Sequence, residues 1–161
     1  MKKILILLSL LMISGCSHSS KYDQFVKNQY DLKMDNINIS ENAPDTLKIA
    51  VQNDDIYFLV FETTAFHQGL ILGIEISKSD LEISDVLVIE HQETPDYGGV
   101  VEEGWFTQRY IKQSIYSDTK IVRWMSTEDS EVVAITGATI TSNAVNMIIN
   151  QAKEFIREIE G

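Results

Sequence analysis

The sequence predicts an α+β domain: an antiparallel sheet with flanking helices, ending in a C-terminal helix that follows the motif of greatest chemical interest. Two observations carry this expectation. Residues 47–52, 56–62, 70–77 and 83–91 are rich in Ile, Val, Leu, Phe and Tyr, and only turn-like pieces such as Asn53-Asp54-Asp55 separate them. Strands that succeed one another without helices between them form antiparallel sheets. Residues 142–159 instead repeat apolar side chains at steps of three and four, the period of a helix with one buried face.

The remaining elements follow in order. Tyr22, Phe25, Val26 and Tyr30 have the spacing of one face of a short helix over residues 21–30, and residues 35–45, with Asn, Ser and Pro, read as a loop. The segment 93–103 contains Pro95, Gly98 and Gly99 and reads as a loop, whereas 105–116 is open between helix and irregular structure. Residues 120–124 and 131–135 are candidate fifth and sixth strands. In the last helix Ala144, Met147, Ile148, Ala152, Phe155, Ile156 and Ile159 form the apolar stripe, and Lys153, Glu154 and Arg157 fall on other faces.

The first fifteen residues read differently. Lys2 and Lys3 precede a run from Ile4 to Ile13 that is apolar apart from Ser9, and Ser14, Gly15 and Cys16 close it, which is the order of a secretory signal peptide. A membrane span needs about 20 apolar residues, and the polar run 17–20 comes too soon. Ile13-Ser14-Gly15-Cys16 resembles the lipobox of bacterial lipoproteins, which implies a lipidated Cys16 as the mature N-terminus and an extracytoplasmic, membrane-anchored protein. The bland alternative is a free or buried Cys. The expected organisation is a leader over 1–15, a tether and N-terminal helix over 16–45, and one domain over 46–161.

The net charge of −11 becomes two units more negative when Lys2 and Lys3 leave with the leader. Such a surface repels phosphate backbones, so no nucleic-acid partner is expected. Cys16 is the one Cys in the chain, which excludes an internal disulfide.

Thr136-Gly137-Ala138-Thr139-Ile140-Thr141-Ser142 joins a predicted strand to the final helix. Small residues there let backbone N–H groups approach a ligand, and a helix start attracts anions. The same position also suits a Thr or Ser that merely caps the helix. Both readings stand on local features. The chain lacks the P-loop lysine, the dinucleotide glycine pattern and a Gly-x-Ser-x-Gly elbow. His67, His91 and Glu93 have no ligand spacing that fixes a metal site. Tyr97, Trp105, Phe106, Tyr110 and Tyr116 read mostly as packing, with one or two free to cover a cofactor ring. The acidic run 128–131 reads as a solvated turn.

Thr136 to Thr139 resembles the Ser/Thr-Gly-Ala-Thr motif of the FMN-binding domain family, which includes the G subunit of the Rnf complex and the C subunit of the sodium-translocating NADH:quinone oxidoreductase. Residues 91–98, His91-Gln92-Glu93-Thr94-Pro95-Asp96-Tyr97-Gly98, resemble the family's Glu-Thr-Pro-Gly loop. The resemblance covers the chain from about Ile56 onward. It implies FMN joined to Thr139 by a phosphoester, installed from FAD by a flavin transferase. It further implies electron transfer with a redox partner at the membrane, and a flavin site drawing on Thr136, Gly137, Ala138, Thr141, Glu93, Thr94, Pro95, Tyr97 and Gly98. The chain departs from the family pattern twice, with Val133 where an Asp is usual and Asp96 where a Gly is usual. The readings from other classes are a lipoprotein binding or assembly module with this fold and no covalent flavin, and the electron-accepting part of a reductase that needs a partner for its substrate.

Overall fold

The computed structural model describes residues 21–29 and 34–161. The leader, Cys16 and Tyr30 lie outside the described residues. The elements are α1 (Lys21–Gln29), β1 (Asp35–Asn36), β2 (Leu47–Gln52), β3 (Ile56–Thr63), β4 (Leu70–Ser77), β5 (Ile83–Glu90), α2 (Gly104–Thr107), β6 (Lys120–Val122), β7 (Glu131–Val133) and α3 (Thr139–Glu160). Strands β1 to β5 form an antiparallel meander in chain order. The α+β expectation therefore holds.

The strands read as nearly continuous apolar runs because both faces of the sheet are covered. Tyr57, Leu59 and Phe61 of β3 and Leu70, Leu72, Ile74 and Ile76 of β4 turn to one side, where they meet Val145, Ile148, Ile149, Ala152 and Ile156 of α3. Phe58, Val60 and Ile71 turn to the other side, where Tyr22, Phe25 and Val26 of α1 cover them. Gly73 leaves room for the Phe58 ring, since a Cβ there would stand 2.6 Å from its Cζ. Full burial of each such side chain contributes about 1.5–3 kcal/mol.

Several expectations need correction. The predicted loop over 35–45 contains β1, which pairs with β2. The two late strands do not extend the meander: β6 and β7 pair in parallel as a separate ribbon. The open segment 105–116 resolves into most of α2, a 3-10 turn over Gln108–Tyr110, and an irregular stretch beside β5. There Lys112 N–H donates to Ile83 C=O at 2.8 Å and Ile115 N–H to Leu81 C=O at 2.9 Å. On α3, Met147 and Ile159 sit at the exposed edge, while Val145 and Ile149 are buried.

Lys153 is fully buried, contrary to its assignment to an outer face. Its Nζ donates to Ser117 C=O and Thr119 Oγ1 at 2.8 Å each and to Gln113 Oε1 at 3.0 Å, so the amine stitches the irregular stretch to α3. Burial pushes the amine down from an ordinary 10.5 to about 8, with Asp118 opposing and Arg157 adding to the shift. Between those two values the unfolded chain holds a proton that the folded chain has released, so stability rises with pH across that window. Tyr22 and Tyr57, pushed up to about 12 chiefly by burial and then by hydrogen bonds to Glu62 and Glu160, act in the opposite sense once pH passes their ordinary 10. Denaturant midpoints should therefore climb between about pH 8 and pH 10, and Lys153→Met should lower stability and flatten the climb. A climb unchanged in the variant would assign it to another group.

Candidate functional site

A cleft of about 450 Å³ opens at one end of the main sheet, a volume in the range of about 300–1,000 Å³ usual for small-molecule sites. Three chain segments wall it. The turn between β3 and β4 supplies Phe66, the loop after β5 supplies Glu93, Thr94, Tyr97 and Gly98, and the entry to α3 supplies Gly137, Ala138, Thr139, Ile140 and Thr141. The two motifs meet because β3, β4 and β5 alternate in direction, which sends the β3–β4 turn and the β5 exit from the same sheet end. The C-terminal helix then packs across that sheet and brings its first turn to them.

The helix starts at Thr139, earlier than its apolar pattern indicates, with Ala138 as the flanking residue. No Ser or Thr side chain caps it from that position. Ser142 holds the entry from inside: its hydroxyl accepts from Ile135 N–H and donates to Ala138 C=O, both at 3.0 Å. The first helical backbone bond runs from Ser142 N–H to Ala138 C=O at 2.9 Å. The N–H groups of Thr139, Ile140 and Thr141 precede it and have no carbonyl within the helix to bond, leaving donors at the positive end of a 22-residue helix. Gly137, at φ +80°, makes the turn into the helix, and a Cβ there would stand 3.0 Å from the Tyr97 ring.

Glu93 ties the three walls together. It is buried, its Oε2 accepts from Thr141 Oγ1 at 2.6 Å, and its Oε1 accepts from His67 N–H at 2.7 Å. Glu93 N–H donates to His91 Nδ1 at 3.1 Å, and His91 Nε2 lies 2.9 Å from Glu102 Oε1. Thr94 C=O accepts from Tyr97 N–H at 3.0 Å and Gly99 N–H at 2.9 Å, which folds the loop back on itself. Gly98 is buried where a side chain has no room: a Cβ would collide with the Glu93 carboxylate and come within 2.8 Å of Thr141 Oγ1.

The two candidate hydroxyls differ in environment. Thr139 is exposed and lines the cleft, whereas Thr141 is buried with its hydroxyl committed to Glu93. Thr136 and Pro95 are exposed and do not line the cleft, and neither does Asp96. Val133 ends β7, and its carbonyl accepts from Arg109 Nη1 at 2.8 Å. Of the aromatic cluster, Phe106 and Tyr110 are core residues, Tyr97 faces the cleft, and Trp105 and Tyr116 are exposed elsewhere.

Comparison with protein-family models matches residues 67–154 to the FMN-binding domain. The chain belongs to that family. FMN is accordingly its cofactor. Among solved structures, NqrC of Shewanella oneidensis matches with a TM-score of 0.52 at 19% identity, over 63% of this chain and 52% of that one. The C subunit of the Na(+)-translocating NADH-quinone reductase from Parabacteroides distasonis matches with a TM-score of 0.60 at 16% identity, over 83% of this chain and 82% of that one. At these identities the likeness is one of fold. The match spans about half the length of the first of them. No curated protein matches the sequence.

The residues present suit FMN. The donors at the start of α3 match a phosphate, and Phe66, Tyr97, Ala138 and Ile140 offer apolar surface to a flat ring. The cleft thus draws on both segments that the sequence singles out, plus two residues it did not. Ile140 lies inside the motif, as an apolar residue exposed at the second helical position. Phe66 carried one faint signal, a large aromatic in an otherwise turn-like segment.

Proposed function

We propose that this chain is an extracytoplasmic electron-transfer flavoprotein with FMN joined to Thr139 through a phosphoester. A flavin transferase installs the group from FAD, and a redox partner at the membrane exchanges electrons with it. The lipobox-like Cys16 supplies the anchor, on the membrane face away from the cytoplasm. The observation that carries this reading is the contrast between Thr139, exposed on the wall of the cleft beside free helix-start donors, and Thr141, buried and bonded to Glu93.

Bound FMN supplies one- and two-electron redox chemistry. The chain's own residues then have separable tasks. Thr139 is the attachment point. The N–H groups of the first turn of α3 hold the phosphate and disperse its charge. Gly137 and Gly98 permit close backbone approach, and Glu93 fixes the loop after β5 against the helix. A covalent link suits an exported protein, which has no ready supply of soluble cofactor.

The test is intact mass of the membrane-associated protein made with and without a flavin transferase. A gain equal to FMN less one water, on a chain whose first residue is a lipidated Cys16, is the expected result. A mature protein of unchanged mass and no colour would favour the binding-module reading, and an unprocessed leader would remove the anchor.

A further inference from the structure

Three of the exposed large apolar residues gather on a single concavity. Phe66 is 63% exposed, Tyr97 56% and Ile140 57%, and all three line the cleft that holds Thr139. Single exposed apolar side chains are ordinary on protein surfaces, but converging ones mark a place that something covers. Neither aromatic ring is on a loose segment. The Phe66 turn is closed by Ala65 N–H donating to His67 C=O at 2.9 Å, and the Phe66 ring meets the His67 imidazole edge-on at 4.9 Å. The Tyr97 ring rests on Gly137, directly before the attachment segment.

The Phe66 turn is also coupled to the attachment helix. Glu93 accepts from His67 N–H with one oxygen and from Thr141 with the other, so one buried carboxylate sets the Phe66 turn relative to the start of α3. Charge-assisted bonds of this kind are short and strong. What such an arrangement holds is a planar, mostly apolar ring that cannot leave. An isoalloxazine tethered near Thr139 is such a ring, and well-placed aromatic contacts hold it beyond the area they bury.

We infer that Phe66 and Tyr97 contact the isoalloxazine ring of the attached flavin, that Phe66 sets its shielding from solvent, and that Glu93 acts as the positioning residue for Phe66. The inference rests on attachment of FMN at Thr139. It identifies the β3–β4 turn, outside both sequence motifs, as a third wall of the cofactor site. Shielding by Phe66 limits water at the flavin, while the Tyr97 phenol quenches emission from the excited flavin by donating an electron to it, which a phenyl ring does not do.

The protein is made with the flavin transferase, intact mass establishes that each variant carries FMN, and flavin emission is then titrated with acrylamide, whose neutrality avoids bias from the chain's net charge of −11. Phe66→Ala should raise the acrylamide quenching constant several-fold. Tyr97→Phe should raise the emission yield and lifetime several-fold while the bimolecular quenching constant, the titration slope divided by that lifetime, stays unchanged. Trp124→Ala, which removes an exposed indole that does not line the cleft, should leave both values as they are. Glu93→Gln retains an acceptor for His67 N–H and an amide donor for Thr141, so it should keep the wild-type quenching constant, whereas Glu93→Ala should raise it as Phe66→Ala does. Wild-type values in FMN-bearing Phe66→Ala or Tyr97→Phe would overturn the aromatic contacts, and a wild-type value in folded, FMN-bearing Glu93→Ala would overturn the positioning role. Failure of the wild-type chain itself to gain FMN would be read from the mass alone, and would remove the attachment at Thr139 together with this inference.

Discussion

Thr139→Ala is expected to abolish the covalent gain of FMN, and Thr141→Ala is expected to leave it. The first outcome is all-or-none, because the variant deletes the oxygen that the phosphoester needs and leaves the fold alone: Thr139 is exposed, and Ala is at least as good a helix former. The second outcome separates chemistry from structure. Removing the Thr141 hydroxyl leaves Glu93 Oε2 buried without its partner, at a cost of about 1–3 kcal/mol, so the variant should be measurably less stable yet still modified. Intact mass and denaturant midpoints of the two variants, made with the transferase, check both statements. FMN retained on the Thr139 variant would mean that another hydroxyl is the acceptor.

Gly98→Ala should be the most damaging single-methyl change in the site. The added carbon lands on the Glu93 carboxylate and stands 2.8 Å from Thr141 Oγ1, and both neighbours are buried. Overpacking costs about 1–3 kcal/mol, and displacing Glu93 also forfeits its bonds to Thr141 and His67, each worth about 1.5–3 kcal/mol for a charged partner. A loss of several kcal/mol is expected, with a lower yield of flavinylated protein. Gly104→Ala provides the control, since its Cβ would meet nothing closer than Gln108 Nε2 at 3.6 Å and helix propensity favours the change. Equal stability of the two variants would contradict the steric account.

The meander and α3 were legible because their signals are local. Apolar runs between turn residues fall where β2 to β5 form, and a three-four period marks α3. The parallel pairing of β6 with β7 was not legible, since short strands do not encode which partner they meet. Lys153 was misplaced for a physical reason: a lysine on a helical wheel is assigned to water, and only the distant Gln113, Ser117 and Thr119 make its burial tolerable. The start of α3 was set too late because Ser142 looks like a cap and instead bonds inward to Ile135. At the site, the two motif segments were legible through their resemblance to a family, with Tyr97 among them. Phe66 was not, because it reaches the cleft through the reversal of chain direction between β3 and β4, which leaves no mark on its immediate neighbours.

The antiparallel meander places every strand beside its neighbour in the chain, whereas the cleft depends on a contact between Glu93 and Thr141 across 48 residues. Closing a longer loop carries a larger entropic cost, and non-local contacts reward it only once they form. The strand order is therefore also an order of assembly. The sheet can pair by short-range steps, and the cleft is complete only when α3 has docked. The same asymmetry runs in reverse under stress: an opening that undocks the first turn of α3 dismantles the cofactor site while leaving the sheet intact, which makes the site a more sensitive reporter of native structure than the scaffold that carries it.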